Sequence, residues 1–422
     1  MFLLNVGYQW SDLDDAGADG AIFRSSGQDC ESLLRRDRPK GLSRILFDPQ
    51  LYLLDYPLAP DVHAGLLKHL ATYDWFGMGT PSFDSGETNR RAWLNEVKEN
   101  IDGLWKGRRP PQADWPDVVR SAVATQLAFG CTEVILPSSL LADPEDNLDT
   151  YFTQLDDAVV IASGLTDLPL LASVPMDEGL LAHRSPDENQ VVEALADGLT
   201  ARDRLEGVYL TLSTEASSSV LVINPHVAGS ILRLSSLIGQ EAGLIVVTNF
   251  VECLGLATLG FGGSAYGSGF SVKSRCLRIS DYIDRGGGAA YPKFNSVGLG
   301  LEFSPEPDME KLRDAKLLRY LKSDGTPAGQ PVLDALFAGQ DTASVPAWER
   351  RKNNVAAARL HYAQNHVAWA KRTWNAEAVQ IWLQEAEAAW TYLAKRFEAA
   401  PLSEPNGRHL GPWRHAVDDL IP

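Results

Sequence analysis

Acidic residues follow several short apolar runs of this chain, and they are the first candidates for chemistry. Asp48 ends the run RILFD, Asp177 lies near the end of PLLASVPMDE, and Glu215 ends GVYLTLSTE. Carboxylates that converge on one cavity can transfer protons or bind a divalent cation. Acidic residues after a strand are also common caps of the following helix. We predict Asp48, Asp177 and Glu215 as catalytic residues, with helix capping as the alternative role.

The second candidate is the glycine-rich stretch LGFGGSAYGSGFSVKSR, which runs from Leu259 to Arg275 and becomes basic at its end. Glycines expose backbone N–H groups, and successive N–H groups bind anions. The alternative is a glycine-rich strand against which a neighbouring element packs closely. The anion hypothesis places Gly262, Gly263 and Gly267 at the carboxyl mouth of a barrel. Its predicted ligand-binding residues are Gly260, Gly262, Gly263, Ser264, Gly267, Ser268, Lys273 and Arg275, together with Gln50 and Asn249 at strand ends.

These candidates are positioned by an alternation of apolar runs and amphipathic helical patterns. Five runs are nearly continuously apolar, as in strands that are buried on both faces: RILFD, EVILPSS, PLLASVPMDE, GVYLTLSTE and GLIVVTN. No G-x-G-x-x-G motif follows the first run, which disfavours a Rossmann fold. Further strand candidates are YDWFGMG, GFGGSAYG and NSVGLGLEF. The pattern favours an α/β fold with a (β/α)₈ TIM-barrel-like domain, in which function lies at the carboxyl ends of the strands.

The predicted organisation has three parts. Residues 1–40 read as a small N-terminal β addition, residues 41–304 as the barrel, and residues 305–422 as a helical C-terminal region. In the last part, Asn375 is the expected N-cap of a long amphipathic helix. Five tryptophans concentrate there, and they either pack the tail onto the barrel or form a surface for a protein partner or self-association. They are Trp348, Trp369, Trp374, Trp382 and Trp390.

Composition limits the function classes. The chain has 422 residues and a formal net charge of −17, which disfavours general binding to nucleic acid. Its four cysteines are far apart without C-x-x-C spacing, as expected of a cytoplasmic protein. Neither a signal peptide nor a membrane span is predicted. H-E-x-x-H, G-x-S-x-G and Walker A motifs are absent, so the sequence assigns neither a cofactor nor a metal.

Three functions remain open on these residues. The first is a barrel enzyme, a transferase, lyase or hydrolase, that binds a small phosphate- or carboxylate-bearing ligand and uses strand-end carboxylates for acid–base or metal-assisted chemistry. The order of barrel, late glycine segment and helical tail resembles the tRNA-guanine transglycosylase group, which implies a nucleic-acid- or nucleobase-modifying enzyme. Only FDSG at Phe83–Gly86 resembles part of that group's base-binding motif, and its zinc cysteines and acidic nucleophile motif are missing. The third function is a catalytically inert barrel that serves as a subunit of an assembly.

Overall fold

Eight parallel strands form the central sheet. The computed structural model describes residues 1–6, 13–36, 41–55, 69–70, 72–76, 115–142, 144–182, 190–214, 224–278, 291–349 and 355–421. The strands are β1 (Phe2–Asn5), β2 (Gly20–Arg24), β3 (Arg44–Asp48), β4 (Val134–Leu136), β5 (Leu170–Asp177), β6 (Gly207–Ser213), β7 (Ile245–Asn249) and β8 (Ala265–Ser268).

The sheet curls into a nearly closed barrel. The strand order is β3-β2-β1-β8-β7-β6-β5-β4, so the first strand pairs with the last. The remaining edges, β3 and β4, are brought together where the N–H of Thr132 donates to the carbonyl of Ile45 at 2.9 Å. Together with the helices that alternate with the strands, this confirms the predicted (β/α)₈ TIM-like barrel.

Side chains of the strands alternate between the barrel axis and the surrounding helices. One residue from each strand packs into an inner cluster: Leu3, Ile22, Leu46, Ile135, Leu171, Tyr209, Val247 and Ala265. Their neighbours along the chain, such as Phe23 and Phe47, belong to the larger core under the helices. Because strand side chains repeat every two residues, the position two residues after each inner-cluster member faces the axis again, nearer the carboxyl end.

Helices cover the outside of the barrel. In the helix Trp115–Phe129, the buried stripe contains Val119, Ala122 and Val123, and the helix ends before Gly130, whose φ of 82° suits a residue without a side chain. The described residues of this part also form the helices Leu13–Ala16, Cys30–Arg35, Pro144–Ser163, Glu178–Leu181, Gln190–Thr200, Pro225–Ser235, Leu254–Gly260 and Val272–Arg275 and the π-helix Ser236–Glu241.

The N-terminal strands differ from the sequence prediction. Phe2–Asn5 and Gly20–Arg24 are the first two strands of the barrel itself, and they do not form a β addition beside it. Two other strand candidates are also corrected. Asp74–Phe76 is a short 3₁₀ turn, and the segment from Asn295 to Phe303 contributes to a separate antiparallel hairpin, β9 (Phe294–Ser296) and β10 (Leu301–Phe303).

The C-terminal region is helical, as predicted. The Asn375 side chain accepts a hydrogen bond from the N–H of Ala378 at 2.8 Å, which confirms it as an N-cap. Of the five tail tryptophans, Trp348, Trp369 and Trp382 are buried, as the packing interpretation predicts, whereas Trp374 and Trp390 are half-buried. The helices here are Glu310–Asp314, Gln330–Phe337, Ala356–Ala370, Ala376–Arg396 and Leu410–Leu420.

Polar contacts join this region to the barrel. From the helix Ala356–Ala370, the Tyr362 hydroxyl lies 2.7 Å from Ser268 Oγ, and His366 Nδ1 lies 2.9 Å from the Tyr266 hydroxyl. Burial lowers the pKa of His366 well below its ordinary value, so this contact is made by a neutral imidazole. Within the described ranges, no helix has both the length and the apolar composition needed to cross a membrane.

Candidate functional site

A polar layer lies above the apolar inner cluster at the carboxyl end of the barrel. The residues two positions beyond the inner cluster include Asn5, Arg24, Asp48, Thr211 and Asn249, and all five are buried. The strand period directs these side chains towards the axis. Below this layer, leucine, isoleucine and valine dominate the inner cluster, so polarity changes abruptly along the axis. The carboxyl end is the face on which barrels of this type place their chemistry.

Asp48 is at the centre of this layer. Its Oδ2 accepts hydrogen bonds from the hydroxyls of Tyr52 at 2.8 Å and Tyr209 at 2.9 Å, and its Oδ1 accepts one from the N–H of Gln50 at 3.0 Å. A carboxylate has about four acceptor positions. These described donors leave one acceptor position on Oδ1.

The hydrogen bonds continue across the barrel. Asn249 Nδ2 donates to the Tyr209 hydroxyl at 2.5 Å, and Asn249 Oδ1 accepts from Asn5 Nδ2 at 2.9 Å. The chain from Asp48 through Tyr209 and Asn249 to Asn5 therefore links β3, β6, β7 and β1. Each member fixes the orientation of the next, which is the preorganisation that a catalytic constellation needs.

Burial raises the pKa of Asp48 to about 6, although hydrogen bonds from Tyr52, Gln50 and Tyr209 oppose the shift. A carboxyl group that titrates near neutrality exists in both forms at physiological pH. It can therefore accept a proton in one step and return it in another. Burial and the neighbouring Asp48 carboxylate raise the pKa of Tyr209 well above its ordinary value, so the phenol stays a hydrogen-bond donor.

Backbone strain is concentrated at the same face. Gln50 has a φ of 52°, Phe250 of 63° and Glu252 of 45°, a region that residues with side chains rarely occupy. Two of these conformations are held by strand-end side chains. The N–H of Gln50 donates to Asp48, and the N–H of Phe250 donates to Asn249 Oδ1 at 2.9 Å. Strained backbone of this kind often accompanies functional sites.

Arg24, at the end of β2, brings a positive charge to this layer. Its Nη1 donates to the carbonyl of Lys273 at 2.7 Å, and its Nη2 donates to Ser274 Oγ at 3.3 Å. Arg24 also acts on the charge of Asp48, whose pKa it lowers. Arg24 Nε has no hydrogen-bond partner among the described residues, nor have Asn5 Oδ1 and Thr211 Oγ1. Buried polar atoms without partners are costly, and they are common where a ligand completes the hydrogen bonding.

The structure places the first half of the glycine-rich stretch at the opposite end of the barrel. Gly260 ends a helix, and Gly262, Gly263 and Ser264 precede β8, so all four lie at its amino end. A Cβ on Gly263 would lie 2.7 Å from the carbonyl oxygen of Thr258. The expected position of these residues at the carboxyl mouth is therefore corrected, because the strand begins after them, and close packing explains their small size.

The second half of the stretch lies at the carboxyl end of β8. Gly267 follows the inner-cluster residue Ala265 by two positions, and a Cβ there would lie 2.4 Å from Ile22 Cδ1 and 2.6 Å from Asn249 Oδ1 of the polar layer. Ser268 faces outwards and contacts Tyr362 of the helical region. The Lys273 side chain is exposed, and its carbonyl accepts the Arg24 hydrogen bond described above.

Arg275 forms buried ion pairs that connect the barrel to the β9–β10 hairpin. Its Nη1 lies 3.2 Å from Glu252 Oε1 and its Nη2 lies 2.7 Å from Glu302 Oε1. Its Nε donates to the carbonyl of Gly269, and its guanidinium lies 4.6 Å from the Tyr362 ring centroid. Burial raises the pKa of Glu252 to about 7 although Arg275 opposes the shift. This arginine holds two parts of the fold together, and it does not face the polar layer as a ligand-binding cation.

Of the other two predicted catalytic carboxylates, the structure describes only Asp177. Asp177 Oδ1 accepts a hydrogen bond from the N–H of Gly179 at 2.9 Å, which is the capping alternative. Glu215 lies outside the described residues, and so does the segment Phe83–Gly86. Among the residues that the structure describes, no group of three or more histidine, cysteine, aspartate or glutamate side chains could hold a metal ion.

Sequence reasoning identified Asp48, Gln50 and Asn249 but missed Asn5, Arg24 and Tyr209. The sequence does contain a pattern that indicates Asn5 and Arg24. Each follows an inner-cluster residue by two positions in a short apolar strand, as Asp48 does. Tyr209 lies within an apolar run, and only the closed barrel shows that its hydroxyl reaches Asp48.

Comparisons with protein-family models, with curated proteins and with solved structures give no match to this chain.

Proposed function

We propose that the protein is an enzyme that binds a small anionic substrate at the carboxyl mouth of the barrel and transfers a proton through Asp48. The observation that carries this proposal is the hydrogen-bonded chain of Asp48, Tyr209, Asn249 and Asn5 within the buried polar layer. A barrel core needs only apolar side chains at these positions. Four connected polar side chains are therefore better explained by chemistry than by packing.

Arg24 supports an anionic substrate. Its Nε is buried without a described partner, and an N–H of a guanidinium forms strong hydrogen bonds to carboxylate or phosphate oxygens. Thr211 Oγ1 can donate to the same group, whereas Asn5 Oδ1 only accepts. The substrate that satisfies all three atoms is a small carboxylate or phosphate that also carries a hydroxyl or amino group.

Asp48 would act as the acid–base group in this enzyme. In its ionised form, the open acceptor position on Oδ1 takes a proton from the substrate. In its protonated form, the same group returns the proton, and a pKa of about 6 makes both forms accessible. Tyr52 and Tyr209 would steady the carboxylate by donating to Oδ2 throughout.

Calorimetric titration tests the substrate class. The probes are inorganic phosphate, glycerol 3-phosphate and glycolate, and the variants are Arg24→Gln and Lys273→Gln. We expect at least one probe to bind the wild type and to bind Arg24→Gln about 10- to 100-fold more weakly, as for the loss of a charged hydrogen bond. Lys273→Gln removes a nearby exposed charge and should bind normally. A melting curve of each variant verifies folding, and equal affinity of the folded Arg24→Gln variant would refute the proposed role of Arg24.

A further inference from the structure

A second concave surface lies in the helical region, away from the barrel mouth. It is a groove of about 830 Å³ between the 3₁₀ segment Leu318–Asp324 and the helix Ala376–Arg396. None of its lining residues belongs to a barrel strand. The volume lies within the range of small-molecule sites. We call this surface the aromatic groove.

The walls of the aromatic groove are largely aromatic. Trp369, Trp374 and Trp382 line it together, with the rings of Trp374 and Trp382 nearly perpendicular and 5.7 Å apart. Tyr320 and Tyr392 also line it, with ring centroids 6.1 Å apart. The indole N–H of Trp382 donates to the carbonyl of Val297 at 3.1 Å, so this ring is fixed in place. Trp369 and Trp382 are buried and form the floor of the groove, whereas Trp374 is half-buried and Tyr392 is exposed, so these last two rings can contact an aromatic ligand.

Part of this apolar surface is exposed. Ile381 is 47% exposed and Tyr392 is 46% exposed, although both are large side chains on one helix. The buried stripe of the same helix, with Val379 and Leu383, already packs into the core. Ile381 and Tyr392 are therefore not needed for core packing, and they are free to contact a ligand in the groove.

The charge of the aromatic groove is opposite to that of the whole protein. Arg319 and Arg372 line it together with one carboxylate, Glu385, in a chain whose formal net charge is −17. The Arg372 guanidinium lies 3.3 Å from the Trp369 ring centroid, and that of Arg319 lies 5.3 Å from the Tyr320 ring centroid. Neither arginine forms an ion pair within the described part of the chain. Both arginines are exposed, and the rings hold their guanidiniums beside the groove, where they can bind an anion.

We propose that the aromatic groove binds a planar aromatic ligand that carries a negative charge. Trp374 and Tyr392 would stack on the ligand, and Arg319 and Arg372 would bind its anionic group. Rigid aromatic faces bind flat ligands with little loss of conformational entropy. The two arginines distinguish an anion from a neutral ligand of the same shape. This site is independent of the proposed enzyme activity.

The test uses two probes of the same shape, naphthalene-2-sulfonate and the neutral naphthalen-2-ylmethanol. Calorimetry should show that the sulfonate binds the wild type more tightly than the alcohol does. Arg372→Gln should weaken sulfonate binding by about 10-fold, the effect of one charged hydrogen bond, and should leave alcohol binding nearly unchanged. Tyr392→Ala should weaken both probes. Equal affinity of the two probes, or of wild type and Arg372→Gln for the sulfonate, would overturn the proposal.

Two control variants change residues outside the aromatic groove. Phe337→Ala removes another exposed apolar side chain, 53% exposed and outside the groove, and should bind both probes normally. Arg120→Gln removes an exposed charge on a barrel helix and should also bind both probes normally.

Sedimentation of the wild type and Ile381→Glu shows whether a second copy of the chain covers the groove. A wild-type dimer that this substitution dissociates would replace the ligand proposal with self-association.

Discussion

Replacement of Asp48 by asparagine should change how the stability of the fold depends on pH. The folded protein holds the Asp48 pKa at about 6, against an ordinary value of 3.8, because the group is buried. A raised carboxyl pKa means that the folded state favours the neutral form. The contribution of Asp48 to stability is therefore greatest below about pH 4 and falls as pH rises through about 6.

The size of the effect on the free energy of unfolding follows from the shift in the Asp48 pKa. About two pKa units correspond to about 3 kcal/mol in the free energy of unfolding, and about half of that falls between pH 5 and pH 7.5. Asparagine does not ionise, so it removes this contribution while keeping a side chain that can hydrogen-bond to Tyr52 and Tyr209. The unfolding free energy of Asp48→Asn relative to wild type should therefore increase by about 1.4 kcal/mol from pH 5 to pH 7.5.

Urea unfolding at a series of pH values measures this difference. The matched control is Asp117→Asn, which removes an exposed carboxylate paired with Arg120 at a helix surface. Its difference from wild type is expected to stay constant over the same range. If the difference between Asp48→Asn and wild type is also constant within the error of the measurement, the Asp48 carboxyl does not titrate near pH 6. The acid–base role inferred for it would then be wrong.

Three further outcomes are expected. Tyr209→Phe removes one hydrogen-bond donor to Asp48, so the Asp48 pKa should rise further when it is followed by carboxyl NMR. A fall or no change in this pKa would contradict the described hydrogen bond. Gly263→Ala should lower the melting temperature without changing ligand affinity, because its Cβ would meet the Thr258 carbonyl at 2.7 Å, and a change in affinity alone would restore the anion-binding interpretation. Arg275→Met should destabilise the fold by about 3–5 kcal/mol by leaving two carboxylates without their buried partner, and unfolding within 1 kcal/mol of wild type would refute this role.

The barrel could be predicted from the sequence because most of its strands are locally encoded. Runs such as Gly207–Ser213 are apolar at nearly every position, which is typical of strands buried on both faces. The N-terminal strands were harder to assign. Phe2–Asn5 has four residues, and its pairing with β8 joins positions more than 260 residues apart, as between Phe2 and Tyr266. Such a pairing leaves no local pattern, so the sequence alone indicates a separate addition.

The candidate site was predictable only in part, for a similar reason. The sequence indicates Asp48 and Asn249 because each ends an apolar run. The role of Arg24 depends on barrel closure, which brings its guanidinium to Ser274 from the far end of the barrel sequence. The sequence misplaces Gly260, Gly262, Gly263 and Ser264 because composition does not show where a strand begins. β8 starts only at Ala265, which leaves the preceding glycines at the amino end.

The central claim is that a small anion binds beside Arg24 in the polar layer. The most direct measurement is a crystal structure of the full chain soaked in inorganic phosphate, with a crystal of Arg24→Gln as the comparison. We predict phosphate within hydrogen-bond distance of Arg24 Nε and near Thr211 Oγ1, and its loss in the variant. Phosphate bound instead at Gly260–Ser264, at the amino end of the barrel, or no phosphate in the polar layer at saturating concentration, would contradict the claim.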